Sequence, residues 1–329
     1  MANMAILLTD SDVRKVLPIA GLADVMERTL ASFSSGEVSQ PVRSSVHAGN
    51  HQAFFGVMPA YISTPSALGA KLVTVFSGNA ARGLPALYAT IVLFDPETGA
   101  LSAIMDGRYI TAARTAAVSA VAVRRLSRTD SRVLAILGSG VQARSHAEAV
   151  CGIKVFQQVR AWSPTPERVA RFVSDARSIV QPTPRIAADA EDAVRGADVI
   201  VLATSSAVPV IQSDWIGAGA LVISLGAHEP GMREMDPALT ARARVIVDSR
   251  AAAVVEAGDI VQGIREGHFT EAHIAAELGE VILGRLPGRR ATEEIIIFKS
   301  LGLAVEDVAA AQLVFARAAE QGIGREISL

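Results

Sequence analysis

The periodicity of hydrophobic residues changes near residue 130, and the two patterns predict two kinds of structure. Apolar residues recur at helical spacing over 9–33, with Thr9, Asp10 and Ser11 as candidate N-caps. Strand-like runs follow at 53–59, 67–76, 84–94 and 100–105. Four strands without intervening helices predict a largely antiparallel sheet, and an alanine-rich helix then runs from about 106 to 126.

From residue 132 onward, short apolar runs alternate with amphipathic helical segments. These runs occupy 132–137, 159–162, 198–204, 220–226 and 244–248. This alternation is typical of a parallel sheet covered by helices on both faces. After a last apolar run at 295–298, a helix over about 303–320 either returns to the first domain or closes the second. The predicted fold class is therefore α/β, with a Rossmann dinucleotide-binding domain beside an α+β domain.

Composition narrows the range of partners. The chain has 329 residues, a formal net charge of -2 and no basic run, which argues against a nucleic-acid partner. The single cysteine, Cys151, cannot form an internal disulfide, and no Cys/His cluster has metal-ligand spacing, so we expect no metal. No signal peptide or membrane-length apolar segment stands out, and we expect a cytoplasmic protein without a membrane partner.

The strongest motif is G-x-G-x-x-A at 138–143, between an apolar run and a helical segment. In a Rossmann domain such a turn brings backbone N–H groups and a helix N-terminus to a dinucleotide pyrophosphate. The predicted cofactor-binding residues of the turn are Gly138, Ser139, Gly140, Val141 and Gln142. The alternative is a purely structural glycine turn.

The next apolar run ends at Trp162 without the acidic residue that usually holds the ribose 2′-hydroxyl of NAD. Ser163, Thr165 and Arg168 could instead bind a 2′-phosphate, so NADP(H) is favoured. NAD(H) is the alternative, because Glu167 lies close by and Arg168 could equally be an ordinary solvated residue.

Two later strand ends should border the nicotinamide half of the cofactor, because ligands of open α/β sheets lie beyond the carboxyl ends of the strands. The predicted residues there are Thr204, Leu225, Gly226 and Ala227.

Several segments together resemble the ornithine cyclodeaminase/mu-crystallin family. They are 69–71, GLPALYATIVLFDPETGALSAIMDG at 83–107, TAARTAA at 111–117, GSGVQAR at 138–144, LGAHEPGMREMD at 225–236 and FKSLGLAVEDVAAA at 298–310. The resemblance implies a discontinuous substrate and dimerisation domain at 1–128 and 303–329, with the Rossmann domain at 129–302. It also implies a homodimer and a small imino- or amino-acid substrate.

The resemblance also assigns site residues. Arg43 and Arg114 fall at substrate-carboxylate positions, Arg114 also at a cofactor position, and Lys71 at an active-site cation that binds substrate and is catalytic. Ser300 and Leu301 fall at positions that contact cofactor and substrate. A planar guanidinium can grip a carboxylate through two hydrogen bonds. The alternatives are an ion pair of Arg114 with Asp106 or another carboxylate, and surface positions for Lys71 and Arg43.

Three positions depart from the ornithine-cyclising enzymes of the family. This chain has His228 and Ser163 where those enzymes carry aspartates, and Met232 where they carry a lysine. We therefore predict an NAD(P)H-dependent reductase of cyclic ketimine carboxylates, or a related amino-acid dehydrogenase, with His228 as a second catalytic acid. The alternatives are an ornithine or lysine cyclodeaminase with bound NAD, a non-catalytic NADPH-binding protein, and a spacer role for His228.

Overall fold

The fold is described from a computed structural model, which describes residues 4–49 and 53–328. The chain divides into two compact units, the first formed by the residues up to Arg114 and those from Leu303 on, the second by Thr115–Gly302. This division falls inside a helix, whereas the predicted domain boundary at residue 128 follows that helix. Within the described residues, no helix is long and apolar enough to cross a membrane.

The strands and helices are numbered in chain order. The strands are β1 Met4–Leu8, β2 Val38–Ser39, β3 Ser44–His47, β4 Ala53–Ile62, β5 Ala67–Phe76, β6 Leu87–Phe94, β7 Leu101–Asp106, β8 Val133–Leu137, β9 Gln158–Trp162, β10 Arg185–Ile186, β11 Val199–Leu202, β12 Leu221–Ser224, β13 Arg244–Val247, β14 Ile274–Glu277, β15 Ile296–Lys299 and β16 Arg325–Ser328. The helices are α1 Asp10–Val16, α2 Leu22–Ser35, α3 Arg108–Leu126, α4 Val141–Ile153, α5 Pro166–Ala176, α6 Ala190–Val194, α7 Pro237–Arg242, α8 Arg250–Glu256, α9 Gly258–Arg265, α10 Leu278–Ile282 and α11 Ala304–Gln321.

The sheet of the first unit has the order β16-β1-β7-β6-β5-β4-β2, and β3 also pairs with β4. Neighbouring strands from β4 to β7 are antiparallel, as the sequence predicted. The sheet is extended by β1, which runs parallel to β7, and by β16, which pairs with β1. The sequence analysis missed β1, β2, β3 and β16, which lie outside the run of long strands from β4 to β7.

Helices cover one face of this sheet. The helical spacing over 9–33 corresponds to two helices, because α1 ends at Val16 and α2 begins after Gly21, whose φ of 84° is left-handed. Pro18 lies in the break and cannot continue the hydrogen-bond ladder of a helix. Thr9 is the N-cap of α1, as predicted, and its hydroxyl accepts from the Asp12 N–H. The last helix, α11, packs against α2, β4, β5 and β6, so its residues belong to the core of the first unit.

The second unit has a parallel sheet of order β10-β9-β8-β11-β12-β15-β13-β14, which confirms the predicted α/β class. Its central strands are fully buried, as in the runs VIVL of β11 and LVIS of β12. Strand order reverses between β8 and β11, and ligands of open α/β sheets bind beyond such a reversal. The glycine motif follows β8 directly.

Candidate functional site

The glycine turn has the geometry of a phosphate-binding turn. Gly138 follows β8 with a φ of 118°, and a Cβ there would lie 2.3 Å from the Ala203 carbonyl oxygen, so only glycine fits. Gly140 is the N-cap of α4, and the space around its Cα is open. The first N–H groups of α4 have no acceptor within the helix. N–H groups of this kind can bind the phosphates of a dinucleotide, so the turn fits one.

The end of β9 lies beside this turn. The Ser139 hydroxyl donates to Ser163 Oγ at 3.0 Å, which brings two predicted cofactor residues together. Thr165 is the N-cap residue of α5, and Arg168 is exposed in the first turn of that helix. These positions form a small, hydroxyl-bearing strand end with an exposed cation nearby.

The predicted nicotinamide residues lie at the carboxyl ends of the adjacent strands β11, β12 and β15. Thr204 follows β11, Leu225 to Ala227 follow β12, and Ser300 follows β15. The Ser300 side chain is buried, and its hydroxyl has no hydrogen-bond partner among the described residues. Such an unsatisfied hydroxyl is costly unless a bound group supplies the partner. The residues present therefore fit both ends of a dinucleotide.

Two other predicted residues of the second unit lie near these strand ends. His228 comes directly after Ala227, is half-buried, and donates its backbone N–H to the Gly226 carbonyl at 2.8 Å. Leu301 is buried, and its backbone N–H donates to Asp248 Oδ2 at 2.6 Å.

The first unit contains a separate cluster of four buried charged side chains. Lys71 lies on β5, Arg114 on α3, and Glu306 and Asp307 on α11. Lys71 Nζ lies 2.6 Å from Asp307 Oδ2, and Arg114 Nε donates to Asp307 Oδ1 at 2.9 Å. Arg114 Nη1 donates to Glu306 Oε2 at 2.5 Å. One carboxylate, Asp307, therefore bridges both predicted active-site cations.

The alternation of β5 explains why a lysine reaches this cluster. Buried residues recur along the strand at Ala67, Gly69, Lys71 and Val73, so Lys71 points to the covered face of the sheet. Because α11 packs on that face, the first turn of α11 meets the lysine. The alternative of a surface position for Lys71 is therefore wrong.

The electrostatics of the cluster favour a lysine that can exchange a proton. Burial lowers the pKa of Lys71 to about 8, Asp307 opposes this shift, and the positive charges of Arg114 and Arg43 add to it. Burial alone would raise the pKa of Asp307, but Arg114 and Lys71 lower it below its ordinary value. The cluster thus holds an aspartate with a lowered pKa against a lysine with a pKa of about 8.

The structure bears out the alternative of an ion pair for Arg114, formed with carboxylates other than Asp106. Asp106 pairs with Arg108 at 3.0 Å, and Arg114 pairs with Glu306 and Asp307 instead. Sequence reasoning missed these carboxylates, although two adjacent acids at the start of an otherwise apolar helix were a usable signal. Arg43, which is partly exposed, lies just before β3 and close enough to influence the pKa of Lys71.

Comparison with known proteins identifies the family to which the chain belongs. The model of the ornithine cyclodeaminase/mu-crystallin family matches residues 3–322. The mouse ketimine reductase mu-crystallin is 44% identical over 293 residues, which cover 88% of this chain and 90% of that protein.

Two solved structures share the whole fold. Thermococcus litoralis Δ1-pyrroline-2-carboxylate reductase, in complex with NADH and L-proline, superposes with a TM-score of 0.95 at 34% identity, covering 98% of this chain and 100% of the other. An archaeal alanine dehydrogenase dimer with bound NAD gives a TM-score of 0.93 at 30% identity, with 98% and 99% covered.

Proposed function

Because this chain belongs to the ornithine cyclodeaminase/mu-crystallin family, we propose that it is an NAD(P)H-dependent reductase of cyclic ketimine carboxylates. Δ1-Pyrroline-2-carboxylate and its six-membered homologue Δ1-piperideine-2-carboxylate are the substrate class, and the reverse reaction is an amino-acid dehydrogenation. The similarity over nearly the whole length to a ketimine reductase carries the proposal. The buried lysine of the first unit supports it, because imine reduction requires a proton donor.

The cofactor is held by the second unit. Gly138 to Gln142 bind the pyrophosphate, and Thr204, Leu225 to Ala227 and Ser300 surround the nicotinamide half. When bound, the reduced cofactor supplies a hydride to the imine carbon. We further propose that NADP(H) is preferred over NAD(H). Ser163, Thr165 and Arg168 support this preference, since the loop after Trp162 offers hydroxyls and a cation in place of a carboxylate.

The substrate carboxylate is gripped by Arg43 and Arg114. Lys71 donates a proton to the imine nitrogen, so that C=N becomes CH–NH once the carbon has received the hydride. A lysine with a pKa of about 8 suits this role, because it is largely protonated at neutral pH and gives up its proton readily. His228 is a second candidate donor, which the half-buried position after Ala227 allows.

The first unit is also the proposed substrate and dimerisation domain. The sheet face opposite α11 is apolar, with Tyr61, Leu68 and Ala70 beside Val92 and Ile104 on four adjacent strands. An apolar sheet face of this kind is typical of a surface that a second copy covers. The archaeal alanine dehydrogenase, described as a dimer, supports the same assembly.

The deciding experiment measures NADPH and NADH oxidation at 340 nm with Δ1-pyrroline-2-carboxylate, beside an ornithine reaction assayed for ammonia. We expect imine-dependent oxidation, faster with NADPH, and no ammonia. Ammonia from ornithine without net cofactor change would replace the proposal with cyclodeamination. Cofactor binding without turnover of either cyclic imine or of any amino acid in the reverse direction would leave only a binding protein.

A further inference from the structure

A second group of buried charges lies in the second unit, at the carboxyl edge of its sheet. Glu234, in the segment between β12 and α7, and Asp259, on α9, are both buried, and so is Lys299 at the end of β15. The cofactor assignment above uses none of them. Burying a carboxylate is expensive unless it is paired and hydrogen-bonded, so the contacts of these groups indicate what they do.

Glu234 connects two neighbouring strand ends with one carboxylate. Its Oε1 accepts from the Thr204 backbone N–H at 2.9 Å and from the Thr204 hydroxyl at 2.7 Å, just after β11. Its Oε2 accepts from the Gly226 N–H at 2.7 Å and from the Ser224 hydroxyl at 2.9 Å, at the end of β12. Four donors use both oxygens and favour the ionised form, whereas burial raises the pKa of Glu234, so the carboxylate depends on these hydrogen bonds for its charge.

The other buried charges hold Glu234 in this place. Asp259 Oδ1 accepts from the backbone N–H groups of Glu234 and Met235, at 2.9 and 3.0 Å. Lys299 Nζ donates to Ser224 Oγ at 3.0 Å and lies 3.7 Å from Asp259 Oδ2. The group therefore joins the ends of β11, β12 and β15, the three strands that border the proposed nicotinamide site.

The space between these strand ends is tightly defined. A Cβ at Gly226 would lie 1.9 Å from the Thr204 carbonyl oxygen and 2.6 Å from Glu234 Oε1. The Glu234 carboxylate thus holds the backbones of Thr204 and Gly226 in contact with each other. Because these backbones are packed tightly against the carboxylate, a change in it must shift both residues.

We propose that Glu234 is a positioning residue for the nicotinamide half of the cofactor, acting through Thr204 and Gly226. The inference rests on the proposed function, because it takes these two residues as cofactor contacts. It predicts that loss of the carboxylate weakens recognition of the nicotinamide selectively. Binding at the glycine turn, at the end of β8, should be preserved.

The test compares nucleotides with and without nicotinamide on the full chain. Dissociation constants of NADPH and of 2′-phospho-ADP-ribose are measured by calorimetry, or of NADH and ADP-ribose if NADH binds more tightly. In Glu234→Gln an amide N–H replaces one acceptor and faces a backbone donor. We expect about tenfold weaker binding of the whole cofactor, the loss typical of one charged hydrogen bond, and an unchanged constant for the fragment.

Asp198→Asn is the matched control, because Asp198 accepts from the N–H groups of Arg132 and Val133 at the opposite, amino edge of the same sheet. It should change neither dissociation constant. Ser224→Ala is a milder second variant that removes one hydroxyl of the group. Ser224→Ala should also weaken binding of the whole cofactor and not of the fragment, but to a smaller degree. If Glu234→Gln does not fold, this variant alone tests the positioning role.

Each outcome has one meaning. If the folded Glu234→Gln and Ser224→Ala variants bind the whole cofactor and the fragment equally more weakly, or bind both as the wild type does, the positioning role is overturned. The proposed function would remain intact in either case. Wild-type protein that binds neither nucleotide would overturn both. Selective loss of the nicotinamide-bearing nucleotide supports the role of Glu234.

Discussion

Lys71 Nζ lies 2.6 Å from Asp307 Oδ2, although 236 positions of the sequence separate the two residues and both side chains are buried. The same aspartate binds Arg114 through its other oxygen. Two cations thus share one anion in a space that excludes water. The position and the protonation of Lys71 consequently depend on a residue of the last helix.

Replacing Asp307 with asparagine should destabilise the protein strongly. Lys71 and Arg114 would remain buried without their shared anion, and breaking such a pair costs about 3–5 kcal/mol of unfolding free energy. Urea unfolding followed by circular dichroism measures the loss. The control is Asp10→Asn, which removes the exposed pair with Arg14 and should cost about 1 kcal/mol or less. Equal losses in the two variants would contradict a structural role for the buried bridge.

The pH dependence of imine reduction should report the ionisation of Lys71. A proton donor works only while it is protonated, so kcat/KM should fall as the pH rises through about 8, the pKa of Lys71. The negative charge of Asp307 raises that pKa, so in Asp307→Asn the fall of kcat/KM should occur at lower pH.

Glu306→Gln, which removes the partner of Arg114, is the control and should move this falling limb of the pH profile less. The same substrate is used throughout, so that its own ionisation is common to all profiles. A limb that stays in place in Asp307→Asn would exclude Lys71 as the donor.

An aspartate at position 163 should reverse the proposed cofactor preference. In Ser163→Asp the carboxylate would repel a 2′-phosphate and accept the 2′-hydroxyl of NADH. We expect kcat/KM with NADPH to fall about 10- to 100-fold, while activity with NADH is retained or improved. Ser174→Asp adds the same charge on the exposed side of α5 and serves as the control. A wild-type enzyme that already prefers NADH would contradict the assignment of Ser163, Thr165 and Arg168.

A charge on the apolar sheet face should dissociate the proposed dimer. Val92→Arg places a guanidinium opposite Ala70 and Ile104, where a second copy would have to desolvate it. Light scattering after gel filtration should show the mass of one chain, against two for the wild type. Val155→Arg, at a fully solvated site of the second unit, should leave the dimer intact. Dimeric Val92→Arg protein would place the interface elsewhere.

The sequence by itself determined the two sheets of the fold and the glycine turn to which we assign the cofactor. The alternating strands β4 to β7, the buried parallel strands and the turn at Gly138 are local patterns, because each depends on residues close together in the chain. The break between α1 and α2 was also encoded locally, in Pro18 and Gly21, which the apolar spacing over 9–33 does not take into account.

Only the tertiary structure decided which charges meet. The sequence left a surface position open for Lys71 and named no single anion for Arg114. Asp307 comes from a helix at the far end of the chain, and Glu234 reaches Thr204 and Gly226 from a loop beyond β12. Because a buried charge is stable only with a partner, and the packing of distant segments supplies that partner, the electrostatics of these two buried clusters arise from the fold rather than from any local pattern.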